Sequence, residues 1–185
     1  MEIKDSPITG CYEIQPKVLA DERGSFVKIF HEDIFKQNHL ETNFSEEYYS
    51  VSKQNVLRGL HFQLPPHEHV KMVYCVSGEV LDLVVDLRVG SPTYKKVATF
   101  TLSSQQGNLV YIPKGLAHGF YVLSEQAIMV YKVSTVYSPE HDTGILWNSI
   151  DFTWQISNPI ISKRDQSFIT CSEFKSPFVY KNNLK

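Results

Sequence analysis

The chain has 185 residues, 42 % of them hydrophobic, and a formal net charge of -2. Length and apolar content predict a single folded domain over residues 1–185 and exclude a disordered chain; no basic excess points to nucleic acid. Cys11, Cys75 and Cys171 cannot all pair and lack metal-ligand spacing, so they are expected to be reduced thiols.

Met1 to Asp5 carries charges and no apolar segment follows it. No apolar run reaches the roughly 18 residues of a membrane span. No signal peptide is expected, and the expected location is the cytoplasm. Glu32 to Gln37 predicts a short helix with Ile34 and Phe35 turned inward. Leu57 to His61 reads as a strand, with Arg58, Leu60 and Phe62 on one face and Leu57, Gly59 and His61 on the other. Gly59 there would let a ligand approach the backbone. Lys71 to Val76, the turn residues Ser77-Gly78, and Glu79 to Leu87 read together as a hairpin. In its second arm Leu81, Leu83 and Val85 alternate with Asp82, Val84 and Asp86. Further strands are predicted at Val97–Leu102, Leu109–Ile112, Gly119–Leu123 and Ala127–Val136. With 11 Phe and 10 Tyr also favouring strands, the pattern predicts an all-β jelly-roll barrel with short peripheral helices. The tail from Asp151 is expected to cover the barrel, with Trp147 and Trp154 packed against it.

Two constellations carry chemistry. Gly107, Pro113, Gly115 and His118 have the spacing of the second cupin motif, in which turns bracket a short strand and His118 points into the barrel. His67-Glu68-His69 offers a His-x-His pair, but no glutamate follows in the next strand and Lys71 is a poor neighbour for a metal ion. No metal is therefore expected, and His67 and His69 are read as surface-loop residues. Arg58 and His61 would suit a phosphorylated substrate.

The run Arg58-Gly59-Leu60-His61-Phe62-Gln63 resembles the signature of the dTDP-4-dehydrorhamnose 3,5-epimerase family of cupins. So, in order, do Asp21-Glu22-Arg23-Gly24-Ser25-Phe26, Lys71-Met72-Val73, Gly78-Glu79-Val80, Asp82 to Arg88, Ser91-Pro92-Thr93, Ile112 to Phe120, Tyr131-Lys132, Tyr137-Ser138-Pro139-Glu140 and Ile145-Leu146-Trp147-Asn148. The likeness spans about residues 7–168. It implies epimerisation of a nucleotide-linked 4-keto-6-deoxy sugar by way of an enolate. His61 would be the base, Asp165 of Ser162-Lys163-Arg164-Asp165 its partner, Tyr131 the acid and Lys71 the oxyanion partner. Arg58, Gln63, His118, Asp82, Tyr137, Arg23 and Phe26 would bind substrate. The resemblance implies no metal or organic cofactor. It also implies a homodimer in which one subunit's N-terminal strand completes the other's barrel. Glu46 and Tyr48 depart from the pattern, standing where uncharged polar nucleotide contacts are expected. Pro66 to Lys71 also departs from the usual approach to the lysine. Two other readings are a cupin 3,4-ketoisomerase of the same sugars and a non-enzymatic sugar-binding cupin.

Overall fold

The structure, a computed structural model, describes residues 1–181. In chain order it runs β1 (Glu2–Asp5), β2 (Tyr12–Gln15), β3 (Val18–Asp21), β4 (Gly24–Val27), α1 (Glu32–Gln37), β5 (Glu46–Lys53), β6 (Leu57–Gln63), β7 (Lys71–Ser77), β8 (Glu79–Asp86), β9 (Val97–Ser103), β10 (Leu109–Ile112), β11 (Leu116–Val122), β12 (Gln126–Val133), β13 (Asp142–Gly144) and α2 (Lys163–Gln166). A six-stranded sheet has the order β1-β2-β10-β7-β12-β5, a five-stranded sheet the order β13-β6-β11-β8-β9, and β3–β4 stands apart as a hairpin. The two large sheets form the expected jelly roll, with α1 and α2 at its periphery. The N-terminal strand β1 pairs with β2 of its own chain, Ile3 opposite Ile14.

Apolar side chains settle into three layers. Val73, Val110, Ile112 and Met129 meet Val80, Val84, Phe100 and Phe120 between the sheets. Outside the five-stranded sheet, Leu60, Phe62, Leu83, Val85 and Leu87 pack against Phe152, Trp154, Cys171, Phe174 and Phe178 of the C-terminal segment, the cover expected from sequence. Trp147 and Trp154 meet edge-on at 5.7 Å. Outside the six-stranded sheet, Ile14, Met72, Leu109 and Tyr111 receive Phe35 and Leu40. Six-residue α1 is too short to stand alone, and the fully buried Phe35 anchors it. Removing such a ring from water contributes about 1.5–3 kcal/mol.

The expected hairpin over residues 71–87 does not form. β7 lies between β10 and β12 in one sheet, and β8 between β11 and β9 in the other. Ser77-Gly78 is a corner between sheets. Gly78 has φ +82°, and a Cβ there would sit 2.1 Å from the Gln126 carbonyl oxygen. β8 is covered on both sides, and Asp82 and Asp86 on its carboxylate-bearing face are fully buried. Asp86 accepts from Arg88, Ser91 and Thr93. Those motif residues thus build a corner of the scaffold. The last predicted strand stops early at Val133. That residue pairs with Glu46 and Lys71, the first residues of its two neighbours, so the ladder ends there.

Strict alternation also fails in β6. His118 pairs with His61 but Phe120 with Arg58, so Gly59 is the extra residue of a bulge. The bulge turns Arg58 and His61 to the same side, where alternation had set them apart. Gly59 has φ +131°, and a Cβ on it would lie 2.6 Å from the Gly119 Cα. Its bareness serves this backbone crossing, not a ligand.

Candidate active site

Between the sheets lies a cavity of about 340 Å³. β6 supplies Arg58, His61 and Gln63 from the five-stranded sheet, and β11 supplies His118. From the six-stranded sheet β5 supplies Glu46, Tyr48 and Ser50, β7 supplies Lys71, and β12 supplies Tyr131 and Val133. Thr135, Tyr137, Asp142 and His69 complete the lining from loops and strand ends.

His61 Nε2 stands 2.9 Å from Asp165 Oδ1. Asp165 Oδ2 accepts the Gly59 N–H at 3.0 Å, the backbone donor beside the bulge. Burial opposes ionisation of Asp165, but the hydrogen bonds of His61, the Gly59 N–H and Ser162 outweigh it and hold the carboxyl below its ordinary value. An ionised carboxylate only accepts. Nε2 of His61 therefore carries the proton, and Nδ1 keeps the lone pair a base needs. Asp165 itself is placed by Ser162, whose hydroxyl caps α2 by accepting the Asp165 N–H at 3.0 Å.

Across the cavity, Tyr131 is 7 % exposed, and its hydroxyl is 3.0 Å from Ser50 Oγ. Burial raises its pKa well above that of free tyrosine, against the Ser50 hydrogen bond. The phenol is a neutral donor at any physiological pH. His118 Nε2 bonds Asp82 Oδ2 at 2.7 Å. Asp82 does not line the cavity; it reaches it only through His118. Arg23 and Phe26, on the exposed β3–β4 hairpin, also lie outside this chain's cavity, and Arg23 pairs with Asp21. Tyr137 and Arg58 stand at the rim, with Arg58 Nε donating to Ser52 Oγ at 2.9 Å.

His69 is not on the surface as expected; it lines the cavity. Gln63, 2 % exposed, explains the difference. Its amide accepts the Ser138 N–H at 2.7 Å, donates to the His67 carbonyl at 2.8 Å and lies 3.2 Å from His69 Nδ1. It thereby draws two loops over the cavity. Glu46 accepts the Tyr137 N–H at 2.7 Å, so this added carboxylate is paired. Sequence reasoning missed Ser50, Thr135 and Asp142, whose place depends on which strands and loops meet. Among the described residues, no group of three or more His, Cys, Asp and Glu side chains is arranged to hold a metal ion.

The sequence model of dTDP-4-dehydrorhamnose 3,5-epimerase matches residues 5–173. The chain belongs to this epimerase family. It is 39 % identical over 180 residues to the dTDP-4-dehydrorhamnose 3,5-epimerase of Shigella flexneri, covering 94 % of this chain and 99 % of that one. A dTDP-4-dehydrorhamnose 3-epimerase of Streptomyces niveus is 36 % identical over 94 % of this chain and 85 % of its own. The crystal structure of the Legionella pneumophila dTDP-6-deoxy-D-glucose-3,5-epimerase in complex with dTDP-4-keto-L-rhamnose superposes with a TM-score of 0.92 at 32 % identity, covering 97 % of this chain and 99 % of that one.

In this epimerase Lys71 is the buried cation of the cavity. It is 7 % exposed, and among the described residues no carboxylate pairs with it directly. Burial lowers its pKa to about 8, against the pull of Asp142 and Asp82. Linkage gives stability one sign: the unfolded lysine titrates near 10.5, so between about 8 and 10.5 the unfolded chain binds more protons and this group adds stability as pH rises. If the ammonium serves as the oxyanion partner that the family resemblance implies, activity takes the opposite sign, because the ammonium is lost over the same range. Initial rates are therefore expected to fall as pH rises through about 8, and Lys71→Arg, which keeps its charge, should remove that limb. An alkaline limb unmoved by Lys71→Arg would assign it to another group.

Proposed function

We propose that the chain inverts a carbon next to the ketone, C3 or C5, of a nucleoside-diphosphate-linked 4-keto-6-deoxyhexose, with His61 as base and Tyr131 as acid. One observation carries this reading: His61 and Tyr131 belong to opposite sheets and line one cavity. The C4 ketone acidifies the neighbouring C–H bonds. His61 Nδ1 takes one proton, and Asp165 stabilises the imidazolium that results. The electron pair moves into a C3–C4 or C4–C5 enolate, whose oxygen meets the Lys71 ammonium in a water-poor pocket. Tyr131 then protonates the same carbon from the other face, which inverts it. Each proton-transfer group contributes about 10²–10⁴-fold. Neither step needs a metal or an organic cofactor. Arg58 at the rim suits the diphosphate.

The barrel and its C-terminal cover act in this reading as one catalytic domain. Three free, buried thiols agree with the cytoplasm, and among the described residues no helix is long and apolar enough to cross a membrane. We place a homodimer on the outer face of β5, β12 and β7, where Tyr49, Val51 and Val76 are exposed. The β3–β4 hairpin would carry Arg23 and the 62 % exposed Phe26 to the second subunit's cavity. Sedimentation should give twice the chain mass of 21.2 kDa, and a single-chain mass at working concentration would refute the dimer.

The mechanism is tested in heavy water with dTDP-4-keto-6-deoxyglucose. His61→Asn should abolish both deuterium uptake and inversion, because no enolate forms. Tyr131→Phe should still exchange hydrogen at C3 or C5 while inverted product falls about 10²-fold or more. Proton NMR at those carbons reads both. Formation of a 3-keto product would instead indicate the ketoisomerase, and no exchange in the wild type a sugar-binding protein. Undiminished inversion by Tyr131→Phe would remove Tyr131 from the acid role.

A further inference from the structure

Three contacts hold the Tyr131 side chain. In the β5–β12 ladder its direct partner is Tyr48. The two rings stack, with centroids 4.8 Å apart and planes 17° from parallel. The His118 ring meets Tyr131 edge-on at 6.4 Å, and Ser50 Oγ holds its hydroxyl at 3.0 Å. Ser50 can turn with the phenol, since a hydroxyl rotates to suit its partner. The stacked Tyr48 ring is the contact that lies flat against the phenol.

β5 is the edge strand of its sheet, so nothing in the ladder lies beyond Tyr48. Tyr48 lines the cavity and also an outer groove with Glu47, Tyr49, Val76 and Val130. Glu47, Tyr49 and Val130 alternate to the outer face, so the Tyr48 ring, on the inner face, is the last side chain between Tyr131 and the sheet edge. With that ring gone, a χ1 rotation into the space it leaves opens to Tyr131. Side chains have three staggered wells, and neighbours decide which are filled. A displaced phenol cannot reach the enolate carbon from the face opposite His61, whereas His61 still can.

We propose that Tyr48 is a positioning residue for the acid: its ring face holds Tyr131 where the phenol meets the enolate from the side opposite His61. The inference rests on Tyr131 as acid. It makes a ring, not a hydroxyl, the required feature of residue 48.

The test uses the full chain with dTDP-4-keto-6-deoxyglucose in heavy water. The readout is the ratio of deuterium exchanged without inversion to inverted product, with thermal melts to check folding. Tyr48→Phe keeps the stack and should leave the ratio within about twofold of wild type. Tyr48→Ala should raise it about tenfold, as when the phenol is in place a tenth of the time. If Tyr48→Ala fails to fold, Tyr48→Leu, which keeps bulk without a flat face, should raise the ratio likewise. A merely structural role would slow exchange and inversion together and leave the ratio unmoved, which overturns the proposal. Loss of inversion by Tyr48→Phe as large as by Tyr131→Phe also overturns it, since the hydroxyl would then carry the role. If Tyr131→Phe inverts normally, the acid assignment falls and the proposal with it. An unmoved ratio in Tyr48→Ala while Tyr131→Phe loses inversion rejects the positioning role alone.

Discussion

The carboxylate of Asp165 joins three parts of the molecule at one point. One oxygen holds His61 and the other holds the N–H of Gly59, while its own backbone sits on the Ser162 cap of α2. A charge that is 3 % exposed costs several kcal/mol unless its oxygens are matched by donors. Here both are. The donor at Gly59 belongs to the bulged residue of β6, and the bulge exists because Gly59 and Gly119 can cross without Cβ atoms. Two glycines, one carboxylate and one helix cap thus fix the tautomer and direction of a single imidazole. The C-terminal cover, which packs Phe174 and Phe178 on the five-stranded sheet, is what carries that carboxylate into place.

The rest of the site follows from a barrel with two walls. One wall presents the histidine, the other the tyrosine and the lysine, and the cavity lies between. Inversion at carbon requires this, because proton removal and proton return take opposite faces. The jelly roll separates the walls by sending β7 and β8 to different sheets at the Gly78 corner. Burial then tunes the groups in opposite senses. It lowers Lys71 toward neutrality and raises Tyr131 away from ionisation, so one remains a cation only below about pH 8 and the other remains a proton donor. The His118–Asp82 pair behind them is fully buried and stiffens the floor of the cavity.

Much of this was legible in the sequence. Strands β9, β10 and α1 were placed within a residue because their apolar residues and flanking turns are local signals. The cavity set of Arg58, His61, Gln63, Lys71, His118, Tyr131 and Tyr137 came from ordered motifs. What escaped depends on partners distant in the chain. Period-two reasoning put Arg58 and His61 on opposite faces because it cannot see a bulge forced by Gly119, 60 residues from Gly59. The turn residues at Ser77-Gly78 serve a hairpin or a corner equally well, and only the filled edges of both strands decide. His69 seemed a surface residue because the buried Gln63 that draws it inward is set by the folds of two loops. Asp82 was assigned to substrate, but its register against Phe120 buries it behind His118.

The most direct test of this account is the turnover of Asp165→Asn. An amide at that position can still accept the Gly59 N–H, but its NH₂ then faces His61 Nε2 and moves the imidazole proton to Nδ1. The lone pair would point at the amide and away from the substrate. Inversion and solvent exchange should fall together by about 10²–10⁴-fold, less than for His61→Ala, while thermal unfolding stays cooperative. Turnover within about threefold of wild type would contradict the claim that Asp165 sets the tautomer of the base.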